Sequence, residues 1–163
     1  MKDTNSLSIL FICLGNICRS PAAEAVMKKI ANDNHIGQSL HIESAAIGPW
    51  HVGDLPDKRM RRHAAARGFK LDSRAQQFNA SFYNRFDVIV VMDEENYRAV
   101  SQQARSDDDR RKIWRMSDYF IQYKGRTSVP DPYYGGDSDF ELALDLIEDG
   151  CQGLIRTIRS KIL

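Results

Sequence analysis

Leu7–Cys13 reads Leu-Ser-Ile-Leu-Phe-Ile-Cys, and Gly15, Asn16 and then Ser20-Pro21 follow within a few positions. An almost unbroken apolar run of this kind suits a strand covered on both faces, as in a parallel sheet. Glycine and asparagine both tolerate unusual backbone angles, so the chain can turn tightly just past the run. Ser20 as a cap, Pro21 in the first turn and Glu24 soon after predict a helix over residues 22–31. The opening unit is therefore strand, short loop, helix. Residues 41–47 and 86–92 read as further strands, and residues 112–116 as a short fourth. Residues 56–67, closed by Gly68, and residues 94–104 read as helices. Residues 128–137, with two prolines and two glycines, read as a loop. From Phe140 onward apolar residues recur mostly every three or four positions, as in a long amphipathic helix over residues 140–162, although Gly150 and Gly153 weaken its middle. Strands alternating with helices predict a single α/β domain over residues 1–163 with a parallel sheet.

In open parallel sheets, ligands bind beyond the carboxyl ends of the strands. The segment Cys13-Leu14-Gly15-Asn16-Ile17-Cys18-Arg19-Ser20 lies at such an end and has the form C-x5-R-S. A tight loop running into a helix presents several N–H donors to an anion such as phosphate. Arg19 adds a planar fork that matches two phosphate oxygens. The same positive field favours the thiolate of Cys13, a good nucleophile and a tolerable leaving group. Ser20 stands where its hydroxyl can donate to that sulfur. The plain alternative is a structural cysteine at the end of a core strand with an unrelated arginine six positions on. The strand-to-helix setting and the Gly-Asn pair favour phosphate chemistry.

A thiolate attacking a phosphate ester must expel an alkoxide or phenoxide, which calls for a general acid. Asp131, in Val129-Pro130-Asp131-Pro132-Tyr133-Tyr134-Gly135-Gly136, is the candidate. Prolines on both sides restrict its backbone, and Tyr133 and Tyr134 offer aromatic surface for a flat leaving group. After the phosphocysteine forms, the same carboxylate can act as base toward water. An Asp-Pro turn is the plain alternative.

Bulk properties exclude several classes. The 23 basic and 22 acidic side chains nearly cancel, leaving a formal net charge of +1, which gives no reason to expect nucleic acid or a membrane surface as partner. The basic stretch Lys58-Arg59-Met60-Arg61-Arg62 and the acidic Asp107-Asp108-Asp109 read as solvated helix faces or turns. No apolar run approaches the ~20 residues of a membrane span. The polar start carries no signal-peptide core, so a cytoplasmic protein is expected. Three cysteines, Cys13, Cys18 and Cys151, argue against a disulfide framework. Cys151 and the methionines read as core. His35, His41, His51 and His63 show no metal-ligand spacing, and no metal or cofactor is expected.

Cys13-Leu-Gly-Asn-Ile-Cys-Arg-Ser-Pro21 together with Asp131-Pro-Tyr-Tyr-Gly135 resembles the low-molecular-weight protein tyrosine phosphatases, and the resemblance spans nearly the whole chain. Residues 44–53, 92–96 and 137–140 also look like segments of that family. The resemblance implies a four-stranded parallel sheet flanked by helices on both faces, with the phosphate loop between the first strand and the first helix. It implies a phosphotyrosine-containing protein as substrate, Cys13 as nucleophile, Arg19 as phosphate binder and Asp131 as acid and then base. Leu14, Gly15, Asn16, Ile17 and Cys18 would complete the phosphate loop. Asn16 and Ser44 would hold loop and nucleophile, Ser20 would assist the thiolate, and Ile17, Trp50, Tyr133 and Tyr134 would line the substrate cleft. It also implies a reversible Cys18–Cys13 disulfide under oxidation, and a monomer or weak homodimer. Two departures stand out: Asp72-Ser73-Arg74-Ala75-Gln76 replaces an Asp-His-Arg-Ala-Arg stretch, altering a supporting hydrogen-bond network, and Pro49 stands where small residues are usual.

Rival readings fit less well. An arsenate reductase on this fold needs a relay of cysteines, and none lies between Cys18 and Cys151. A protein-arginine phosphatase would tend to have threonine at Ile17 and a less aromatic acid loop. A sugar-transport phosphocarrier would be ill served by an acid/base aspartate, and a non-catalytic phosphate-binding module would not need Cys13, Arg19 and Asp131 together.

Overall fold

Strand β1 (Leu7–Cys13) sits second in a parallel sheet of order β2-β1-β3-β4, between β2 (Leu40–Ala46) and β3 (Val88–Val91), with β4 (Ile113–Arg115) outermost. The computed structural model describes residues 6–162. The polar residues 1–5, the side chain of Ile162 and Leu163 lie outside the described residues. The strand's two-sided apolar pattern has a direct cause. Ile9, Phe11 and Cys13 face one core, and Leu10 and Ile12 face the other. β3 divides the same way, with Val88 and Val90 on the first side and Ile89 and Val91 on the second. Successive side chains in a strand point to opposite faces, so a central parallel strand must be apolar throughout.

The first core is covered by α1 (Arg19–Asp33), α2 (Lys58–Ala66) and the long α5 (Asp137–Ile162). The second is covered by α3 (Glu94–Gln102) and a 3-10 turn over Ala80–Asn84, whose Phe82 and Tyr83 are buried. The short α4 (Asp107–Arg111) carries the three aspartates in its first turn, where they complement the helix dipole. No helix of the described residues is long and apolar enough to cross a membrane.

Two expectations change. Ser20 does not cap α1: the helix starts at Arg19, the cap position is Cys18, and no side chain caps it there. Ser20 instead lies in the first turn with its hydroxyl turned to the phosphate loop. Gly150 and Gly153 do not interrupt α5, which runs through both. A Cβ at Gly153 would run into the Tyr119 carbonyl oxygen, and one at Gly150 into the Met116 sulfur. The glycines let the 3-10 turn Met116–Tyr119 press against the helix. α2 follows expectation at its end: Gly68 takes φ +87°, and Phe69 N–H bonds back to Ala64 O.

Candidate active site

The phosphate loop is curled by Asn16, whose φ of +57° lies in the left-handed region where asparagine is tolerated. Gly15 has a different reason: a Cβ there would lie 3.1 Å from the His51 ring. Carbonyl oxygens along the loop face outward. Cys13 O accepts from Ile47 N–H, Leu14 O from Gly48 N–H and Ile17 O from Asp57 N–H, at 3.0, 3.1 and 2.8 Å.

A buried network holds the loop from behind. Asn16 Nδ2 donates to Ser20 Oγ at 2.7 Å and to Ser44 Oγ at 2.9 Å. Ser44 donates to Glu24 Oε1 at 2.7 Å, and the Gln76 backbone N–H donates to Asn16 Oδ1 at 3.1 Å. Ser20 Oγ lies 3.0 Å from Cys13 Sγ. Asn16, Ser20 and Ser44 thus support the Cys13 side chain and its loop from beneath. In the stretch where the sequence departs from the family pattern, Gln76 makes this supporting contact, and its side chain also reaches Glu43 and Ser44 O.

Arg19 is 2% exposed, yet charged. Its Nη1 donates to Asp93 Oδ2 at 2.6 Å and to Val129 O at 2.9 Å, and its Nη2 lies 3.6 Å from Asp131 Oδ2. Burial opposes the charge. The charge Cys13 carries when ionised, the bond to Asp93 and the charges of Asp93 and Asp131 outweigh it and hold the guanidinium protonated more firmly than usual. Cys18 is buried beside it, and burial, then Asp57, Cys13 and Asp131, push its thiol well above the ordinary range. Cys13, Cys18 and Cys151 are all free.

These groups open into one cleft of about 290 Å³. Cys13, Leu14, Gly15, Ile17, Cys18 and Arg19 form its base, and Trp50, His51, Asp131, Tyr133 and Tyr134 its walls. Trp50 is 65% exposed and Tyr134 95% exposed, so both stand at the rim as walls rather than as core packing. Tyr133 and Tyr134 meet edge to face at 4.9 Å. Of the expected loop and cleft residues, Leu14, Gly15, Ile17, Cys18, Trp50, Tyr133 and Tyr134 line it, while Asn16 is buried behind the loop.

Sequence reasoning missed four contributors. Asp93 follows β3 at its carboxyl end, the place where ligand groups gather in such sheets, and that rule could have found it. Glu24 was read as part of the helix start, although it lies one turn beyond Ser20 on the same helix face. His51 and Val129 carried no signal of their own.

The model of the low molecular weight phosphotyrosine protein phosphatase family matches residues 8–162. A low molecular weight protein-tyrosine-phosphatase of Streptomyces coelicolor is 37% identical over 155 residues, covering 94% of each chain. The Sus scrofa low molecular weight phosphotyrosine protein phosphatase is 35% identical over 160 residues, covering 98% of this chain and all of its own. A crystal structure of a protein tyrosine phosphatase from Entamoeba histolytica superposes with a TM-score of 0.92 at 40% identity, covering 97% of this chain and 100% of that one. Sequence and fold agree over the same span, and on that basis the chain belongs to the low molecular weight phosphotyrosine protein phosphatase family.

Proposed function

We propose that the whole chain, residues 1–163, works as one cytoplasmic phosphatase domain that hydrolyses phosphotyrosine in protein substrates through a phosphocysteine on Cys13. The observation that carries this reading is the 3.6 Å approach of Asp131 to Arg19 inside the cleft that Cys13 lines. One side chain there can bind the phosphoryl group while the other reaches its ester oxygen.

The Cys13 thiolate attacks phosphorus as the ester P–O bond breaks. Asp131, protonated, gives its proton to the departing phenolate oxygen. Arg19 and the loop amides hold the equatorial oxygens; the outward-turned loop carbonyls support inward-facing amides. Asp131, now a carboxylate, takes a proton from the water that attacks the phosphocysteine. The P–S bond breaks and Cys13 leaves as thiolate, with the Ser20 hydroxyl donating to its sulfur. Trp50, Tyr133 and Tyr134 clasp the aromatic ring, which favours aryl over alkyl esters.

The test is hydrolysis of p-nitrophenyl phosphate in mildly acidic buffer without added metal, for wild type, Cys13→Ser and Asp131→Ala. Turnover that Cys13→Ser abolishes and Asp131→Ala cuts by about 10²-fold or more supports the mechanism. A wild type that binds phosphate without turnover overturns it.

A further inference from the structure

Arg59 belongs to a basic run that reads as a solvated helix face, yet its side chain is committed. Nε and Nη2 bind the two oxygens of Asp57 at 3.2 and 3.0 Å, and Nη2 also donates to the Tyr133 carbonyl at 2.9 Å. The guanidinium lies over the rings of Tyr133 and Phe140, 5.5 and 4.7 Å from their centres. Each partner leads into the site. The Asp57 N–H donates to Ile17 O in the phosphate loop at 2.8 Å. The Tyr133 N–H donates to Asp131 Oδ1 at 3.1 Å. An unbroken series of bonds therefore runs from phosphate loop to acid carboxylate, with Arg59 at its middle. Only a planar fork with several donors serves a carboxylate and a carbonyl at once; a lysine ammonium lacks that geometry. Arg59 does not line the cleft, so it has no direct access to a bound phosphate.

We propose that Arg59 is a positioning residue that fixes Asp131 over the phosphate loop by way of Tyr133, and so governs proton delivery to the leaving group. This rests on the phosphatase reading above. A displacement of about 1 Å at a reacting group can cost ~10²-fold in rate. The loss must grow as the leaving group becomes more basic, because a good leaving group hardly needs the proton.

The experiment measures kcat and KM over a series of aryl phosphates, from p-nitrophenyl to unsubstituted phenyl, for wild type, Arg59→Ala, Arg59→Lys, Asp131→Ala and the Arg59→Ala/Asp131→Ala double variant. Both Arg59 variants are expected to steepen the dependence of kcat/KM, which reports the step that expels the leaving group, on leaving-group basicity, losing about tenfold or more on phenyl phosphate and less on p-nitrophenyl phosphate. In the Asp131→Ala background, Arg59→Ala is expected to add little. Arg59→Lys keeps a cation near Phe140 and carries the comparison if Arg59→Ala does not fold. An equal loss across the series, or full additivity with Asp131→Ala, overturns the proposal and leaves Arg59 a stabilising residue only. Absence of wild-type turnover on every ester overturns the phosphatase reading itself, a separate result.

Discussion

Arg19 and Asp93 meet at 2.6 Å, one following β1 and the other following the neighbouring β3, so the register of two central strands sets the position of the guanidinium at the base of the cleft. Asp93 also caps α3, accepting from the Asn96 N–H at 2.8 Å. Asp93→Asn keeps an oxygen to cap α3 but puts an NH2 where the second carboxylate oxygen stood, so Arg19 loses both the charge and the acceptor. It is expected to cost about 1.5–3 kcal/mol, the worth of a charge-assisted bond, and to lower kcat. Asp93→Ala should cost about 1 kcal/mol more through the lost cap. Urea unfolding and p-nitrophenyl phosphate turnover check both; an Asp93→Asn protein with wild-type kcat would sink the idea.

Ser44 joins Asn16 to Glu24 in a buried place. Ser44→Ala leaves a buried carboxylate oxygen and an amide donor without their partner, at a cost of about 1–3 kcal/mol. Chemical denaturation should show this loss, and steady-state kinetics a reduced kcat, since the Asn16 and Ser20 hydrogen bonds behind Cys13 depend on the same hub. An unchanged denaturation midpoint would contradict the network.

Asp57 caps α2 through the N–H groups of Arg59 and Met60. Burial pushes its carboxyl upward, but the Arg59 side chain and the backbone donors outweigh burial and hold it below the ordinary value of 3.8. A carboxyl lowered in the fold stabilises above its unfolded value and loses that contribution as pH falls through the folded one. Asp57→Ala is therefore expected to cost about 1 kcal/mol at neutral pH, with the gap to wild type narrowing below about pH 4. Thermal melts across that range decide it; a gap that widens on acidification refutes it.

Cys18 is held as a thiol by burial and by nearby negative charge. The thiolate is the species that reacts with iodoacetamide. Brief alkylation at neutral pH should label Cys13 and leave Cys18 and the buried Cys151 unmodified, as peptide mass spectrometry can read. Inorganic phosphate should slow the Cys13 reaction. Labelling of Cys18 ahead of Cys13 would contradict both the burial and the assigned nucleophile.

Replacing glycine by alanine within a helix normally gains about 1 kcal/mol. At Gly153 the new methyl meets the Tyr119 carbonyl, and overpacking of a close contact costs about 1–3 kcal/mol. Gly153→Ala should lower the melting temperature instead of raising it.

Much of the fold was legible because strands and helices announce themselves by period. β1 and β3 are apolar on both faces, and α5 repeats its apolar residues every turn. What failed needed the third dimension. Glycines in α5 read as weakness because the turn that packs on them is some thirty residues away in sequence. Ser20 had the right chemistry for a cap, but its hydroxyl found a sulfur and an amide instead. That Cys13 and Arg19 share one cleft could be read because one short loop carries both. Asp93, Glu24 and Arg59 bond to partners distant in sequence; Glu24 read as part of a helix start and Arg59 as part of a solvated face, and Asp93 had no role of its own in the sequence reading.

Helix α1, which begins inside the phosphate loop, packs against α5, and the Cys151 thiol reaches the Ala23 carbonyl. A ribosome makes α1 well before α5. Until α5 has left the exit tunnel, Ala23, Val26, Met27 and Ile30 lack the surface that covers them, and the strap through Val129 that meets Arg19 has not arrived. A chain stalled before that point would expose the apolar face of α1 to solvent and leave the Arg19 guanidinium without its Val129 carbonyl partner.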